Sequence, residues 1–204
     1  MRIVSVEDMG PHIGAERASI KDQPGKARLH ALVGALPIKG QEVALTVLKK
    51  AKVSDVAAVV RELGLAGAPT VRISSSDARK DVPKELVVVP LEKLVDKAPG
   101  CAITAMVEKD LSTAVWSIKG GQGKKHDKGL AGPDLGNTGE TLEKELKKCD
   151  STIAFFTAAP TLDWEHAHNI GGTILTSDKE KKIKTLVFLE KTPVPGREVD
   201  LTPP

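Results

Sequence analysis

The chain has no tyrosine, and only three phenylalanines and two tryptophans occur in its 204 residues. Two consequences follow from that scarcity. The core must be built from valine, leucine, isoleucine and alanine, which bury little area per side chain. Base stacking on single-stranded nucleic acid, which needs exposed aromatic faces, is disfavoured. Long apolar runs are also missing. None approaches the ~20 residues a membrane-spanning helix needs, and the N-terminal segment MRIVSVEDMGPHIGAERASIKDQ lacks the apolar core of a signal peptide. The expectation is a cytoplasmic chain, periplasmic only if a leader or anchor is missing. Charge is nearly balanced, with 30 basic against 27 acidic residues and a net of +3. That excess is too mild to name a polyanionic partner. Cysteine is nearly absent: Cys101 and Cys149 stand in no metal-ligand spacing. They are two thiols or one disulfide, and two buried thiols are the favoured reading.

What is present is patterned. The stretch 151–190 holds all three phenylalanines, one tryptophan and two of the five histidines. It reads as strand, short helix, strand, turn, strand, and it is the expected centre of a core. Earlier in the chain, Val43, Leu45 and Val47 alternate as a half-buried strand. Ser54 is a candidate N-cap with Asp55 in the first turn. Val56, Val59, Val60 and Leu63 recur at helical spacing, and residues 70–73 alternate again, which completes a β-α-β unit. Residues 29–36 read as a strand, and 1–26 as one edge strand and a loop. After residue 100, segments 101–107 and 113–118 suggest a hairpin. The six glycines within 119–137 suggest a long exposed loop. Thr138 is the expected cap of a helix over 139–149, followed by a strand at 151–158.

The expected fold is mixed α/β: two small sheet-plus-helix units with β-α-β patterning. Residues 1–99 would form the N-terminal unit and 100–192 a C-terminal β-α-β-α-β unit, with 193–204 as an extended proline-rich tail.

Three groups of side chains invite a functional reading. Asp163, His166 and His168 would suit a metal-dependent hydrolase if the segment were extended, because His166 and His168 would then face one side. Thr161 as cap, early acids and Gly171 as a stop favour a helix instead, which turns the two rings about 200° apart. No metal and no cofactor is therefore expected. Lys124, Lys125 and Lys128 lie in a glycine-rich stretch whose spacing is wrong for a phosphate-binding loop. They mark a solvated loop, or an anion- or nucleic-acid-binding patch. Phe155 and Phe156 are adjacent in a strand and must face opposite sides. One should pack beneath the helices, the other against an interface, an overlying element or solvent. No nucleophile sits in a strained elbow.

The segment 138–189 resembles the soluble domain of the ExbD/TolR biopolymer-transport family. There a leucine-bearing helix leads to a strand, a short acidic passage, a second helix and a final strand. Here these would be 141–149, 151–158, 159–163, 164–170 and 185–189, and 43–73 resembles the same module more distantly. The resemblance implies a non-enzymatic module that self-associates or binds protein partners. The family's transmembrane helix and its proton-handling aspartate have no counterpart in this sequence, so its energy-transducing role does not carry over.

Overall fold

The computed structural model describes residues 2–7, 9–75 and 79–202, with backbone only for 2 and 3. The first half runs β1 (Arg2–Glu7), β2 (Gly10–Ile13), β3 (Glu16–Arg17), α1 (Gln23–Gly34), β4 (Val43–Val47), α2 (Val53–Leu65), β5 (Val71–Ser75) and β6 (Glu85–Val89). A 3-10 turn, Leu91–Lys93, opens the linker. The second half runs β7 (Ile103–Val107), β8 (Thr113–Ser117), β9 (Lys124–His126), α3 (Leu135–Lys147), β10 (Ile153–Ala158), α4 (Trp164–Ser177) and β11 (Thr185–Phe188).

Among the described residues, eleven strands form one sheet, in the order β3-β2-β1-β4-β5-β6-β11-β10-β7-β8-β9. In the first half β2 lies antiparallel between β1 and β3, while β4 runs parallel beside β1 and β5 parallel beside β4. The second half repeats this: β8 lies antiparallel between β7 and β9, β10 runs parallel beside β7, and β11 parallel beside β10. Strand β6 is the added piece. It pairs antiparallel with β5 and parallel with β11, so it welds the two β-β-β-α-β-α-β halves into one mixed α/β layer.

Burial explains the two kinds of strand sequence. β4 and β5 alternate buried and half-buried positions, because helices cover only one face of the first half. β7 and β10 are buried at every position, since both faces of the second half are covered. The main core gathers residues from all four helices and from one face of both half-sheets. A second core, on the opposite face of the second half, contains Met106, Trp116, Phe155, Val187 and Val199. Phe156 belongs to the first core and Phe155 to the second, each fully buried. The linker and the tail overlie the second core through Leu91, Leu94, Val199 and Leu201. The tail is bound to the sheet: Val199 N–H donates to Ile118 O (2.9 Å), and Trp116 Nε1 donates to Arg197 O (3.0 Å).

Several local expectations are corrected. Residues 29–36 fall mostly in α1, because the Asp22 carboxylate accepts from Gly25 N–H (2.6 Å), Pro24 sits in the first turn, and Leu29 and Val33 are buried one turn apart. The stretch 1–26 holds three strands, not one. Within 119–137 lies β9, and α3 starts earlier than Thr138, capped by Asp134 onto Asn137 N–H (3.1 Å). Thr138 is buried instead, with its hydroxyl 2.6 Å from that of Thr113. Gly171 does not end α4, which continues to Ser177. Cys101 and Cys149 form a disulfide (Cα–Cα 5.7 Å) that ties the end of the linker to the end of α3.

The reason for glycine at positions 171 and 172 is proximity. A Cβ on Gly171 would lie 2.9 Å from the Phe156 ring and 3.0 Å from Leu86, and one on Gly172 would lie 2.7 Å from Val82 Cβ. The pair lets a helix of the second half press on β6 and the segment before it. Gly172→Ala gains up to ~1 kcal/mol of helix propensity, but the clash with a branched carbon near the backbone costs ~1–3 kcal/mol. The expected result in thermal melts is a net loss, whereas Gly34→Ala, with nothing within 4 Å, gains ~0.4–1 kcal/mol. The Cys101–Cys149 bridge closes a 48-residue separation. Replacing both cysteines by serine is expected to cost ~2–4 kcal/mol in denaturant unfolding.

Candidate functional site

The two halves meet where their second helices begin. Neither α2 nor α4 has a side-chain N-cap bond; Lys52 and Asp163 occupy the cap positions. Four amides at the helix starts are satisfied from across the molecule. Val53 N–H donates to Leu162 O (3.0 Å) and Ser54 N–H to Pro160 O (3.1 Å). Reciprocally, Trp164 N–H donates to Ala51 O (2.7 Å) and Glu165 N–H to Lys49 O (3.1 Å). Val53 and Trp164 are corresponding residues of the two halves, as are Ser54 and Glu165, Ala51 and Leu162, and Lys49 and Pro160. The junction thus has local two-fold symmetry of the kind found in isologous dimer interfaces. Lys52 Nζ and Asp163 Oδ1, 2.6 Å apart, close it.

Of the residues of the metal reading, the junction takes only Asp163. Asp163 pairs with Lys52. His168 points into the core, where its Nε2 donates to Pro83 O (2.8 Å) and its ring meets Trp164 edge-on. His166, two positions earlier on α4, is half-buried and outside that contact. Among the described residues, no three His, Cys, Asp or Glu side chains gather in a way that would hold a metal ion. The basic residues differ in their surroundings. Lys125 binds Glu108 (2.7 Å), while its strand neighbour Lys124 lies beside the disulfide with Trp116 and Lys148. Lys128 is exposed in the loop beyond β9. Phe155 and Phe156 are both enclosed by their own chain, so neither can meet a partner without displacing a helix or the linker and tail.

A second feature was not legible in the sequence. At the seam between α2, the linker and the end of β11, three carboxylates surround Arg61. The guanidinium lies 3.6 Å from Glu190 and 3.5 Å from Glu62, and Glu62 also contacts His30 Nδ1 (2.7 Å). One oxygen each of Glu92 and Glu190 is buried without a hydrogen-bond partner among the described residues. Burial pushes both carboxyls upward; nearby Arg61 opposes this, and Glu62 adds to it. Glu92 also borders a groove of about 900 Å³ on the outer face of the sheet, between the linker and the tail.

Comparison of the chain with protein-family models, curated proteins and solved structures found no match. What the geometry defines is an α/β protein of two topologically equivalent, mutually capped units. Among the described residues, no helix is long and apolar enough to cross a membrane.

The seam and His168 give opposite pH dependences. Burial lowers the His168 pKa from the ordinary 6.5, and a second proton would place an N–H at Nδ1, which has no partner among the described residues. The unfolded chain therefore takes up a proton first. Stability is expected to be full above ~6.5 and to fall as pH drops from there to the lowered folded value, by at most ~1.4 kcal/mol per pH unit. Glu92 and Glu190 act in reverse, losing stability as pH rises from the ordinary 4.5 to their raised values. Unfolding measured from pH 5 to 8 should show the histidine limb, and His168→Gln should flatten it.

Proposed function

We propose that the chain is a non-enzymatic interaction or assembly module, related to the soluble domains of ExbD/TolR biopolymer-transport proteins. The observation that carries this reading is the reciprocal capping of two equivalent units. It makes a rigid, locally two-fold platform out of segments that could otherwise serve as loops for chemistry. The element order supports the kinship: α3, β10, the passage 159–163, α4 and β11 follow the family's helix, strand, acidic passage, helix and strand. The helix, strand, helix and strand recur in α1, β4, α2 and β5, but the passage between them, 48–52, carries three lysines and no acid. The side chains that offered a hydrolase, Asp163 and His168, are engaged in holding the fold together. The Cys101–Cys149 bridge favours an oxidising compartment over the cytoplasm.

Exposed apolar side chains spread over the surface, among them Met9, Leu65, Val87, Val95 and Leu130, allow a direct test. A photo-crosslinking residue placed at each in turn, in cells of the natural host, should join the protein to an identified membrane transport-motor subunit from one or two positions only. Crosslinks from none of the five, or release of product from a metal-dependent hydrolase substrate by the purified protein, would contradict the reading.

A further inference from the structure

The disulfide between Cys101 and Cys149 is not sealed inside the fold. Cys149 is only 4% exposed, but Cys101 lies at the surface, and both line a cavity of about 250 Å³ at the end of β8. Gln122, Lys124, Glu145 and Lys148 supply much of its polar lining. The loop that walls it is held in place: the Ser117 hydroxyl donates to Gly120 O (2.7 Å), and Gly121 N–H to Gly196 O (2.9 Å). Glu145 already holds Lys148 at 2.8 Å. Behind the bridge, Lys182 donates to Cys149 O (3.2 Å) and is engaged by Asp150 and Glu180. The Lys124 side chain has no partner among the described residues, which makes it the cation the cavity can offer to a ligand. Both ends of the bridge are also anchored independently of it. Ala102 N–H donates to Pro99 O (2.8 Å) and Ile118 N–H to Ala102 O (2.7 Å), while Cys149 N–H donates to Leu146 O (3.3 Å).

We propose that this cavity makes Cys101 a reversible thiolation site for a small thiol that carries carboxylates. The incoming thiolate forms a new S–S bond with Cys101 Sγ, on the exposed side of the bridge. The Cys101–Cys149 bond breaks, and its electron pair leaves on Cys149 Sγ, which takes up a proton from water. The small thiol is thereby oxidised to the disulfide level and Cys149 is reduced, so no further oxidant or reductant is required. Closure is the reverse: the Cys149 thiolate attacks Cys101 and expels the small thiol. The anchors on either side keep the two cysteines near one another while the bridge is open. Access decides which sulfur is attacked, and charge decides which thiol arrives. A carboxylate on the ligand adds to the attraction between its thiolate and Lys124, whereas a cationic thiol is repelled. Glu145 opposes this selection, but Lys148 neutralises it. The site goes beyond the interaction-module reading and does not depend on it.

The test compares glutathione, a net anionic thiol, with cysteamine, a cationic one, on the intact folded chain at low salt. Each rate of bridge opening is divided by that thiol's rate with an uncharged small disulfide, which removes differences in intrinsic nucleophilicity. Early in the reaction, alkylation with iodoacetamide and peptide mass mapping should find glutathione on Cys101 and the alkyl group on Cys149. Glutathione should open the bridge about fivefold faster or more, as charges a few ångströms apart in water dictate, and added salt should shrink the preference. Lys124 is exposed, so its substitution leaves the fold intact. K124S should reduce the preference about twofold or more, and K124E should abolish or invert it. K128S, outside the cavity, should leave it unchanged. Opening that occurs only in step with global unfolding, followed by circular dichroism in the same samples, overturns the proposal. So does glutathione on Cys149 in place of Cys101, or equal normalised rates for the two thiols. A preference unmoved by K124S and K124E, or lowered equally by K128S, would mean diffuse attraction and overturns it as well.

Discussion

The start of an α-helix leaves amides that its own turns cannot satisfy, and in this protein the two central helices solve that problem for each other. The carbonyls of residues 160 and 162 serve α2, and those of 49 and 51 serve α4. Removing either half would strip the other of its partners for two amides. Each such hydrogen bond contributes about 0.5–1.5 kcal/mol net, a sizeable share of the stability of a small domain. The dependence is mutual, and it explains why each central helix dispenses with a side-chain cap.

The rest of the seam is built to the same requirement of close approach. Strand β6 fills the space between the edges of the two half-sheets. Gly171 and Gly172 remove the side chains that would hold α4 away from it. His168 then fastens α4 to the Pro83 carbonyl, just before β6. Trp164, Phe156 and Phe188 stack around this point, with ring centroids about 5 Å apart. Most of the chain's few aromatic residues thus sit where its two halves join, which is where large rigid side chains contribute most to packing.

The two faces of the sheet differ for a simple reason. The helices cover one face throughout, but the other is covered only in the second half, by the linker and the tail. Irregular covering segments pack less completely than helices, and the groove beneath Val95 is the gap they leave. The same segments carry Glu92 and Asp200, so the acidic end of the groove and the seam around Arg61 are one continuous polar region. Any event that moves the linker would act on both.

The sequence by itself determined the class of fold and much of the strand and helix content. The alternation of Val43, Leu45 and Val47 marked a half-covered strand, whereas the burial of both faces of the strand before Thr157 came only with the fold. The sequence also determined that Phe155 and Phe156 face opposite ways, because the strand period of two leaves no other choice. Tertiary structure decided what depends on distant partners. Gly171 reads as a helix stop until Phe156 and Leu86 are seen against it. Thr161 and Ser54 read as caps until the real caps arrive from the other half. Cys101 and Cys149 carry no local sign of pairing, since a disulfide depends on the meeting of the linker and α3. Asp163, His166 and His168 read as possible ligands, yet helical geometry parts the two rings, and Lys52 and the Pro83 carbonyl take Asp163 and His168. Local periodicity is written in neighbouring residues; capping, close approach and charge pairing are set by residues as far apart as Lys52 and Asp163, 111 positions from one another, and only folding brings these together.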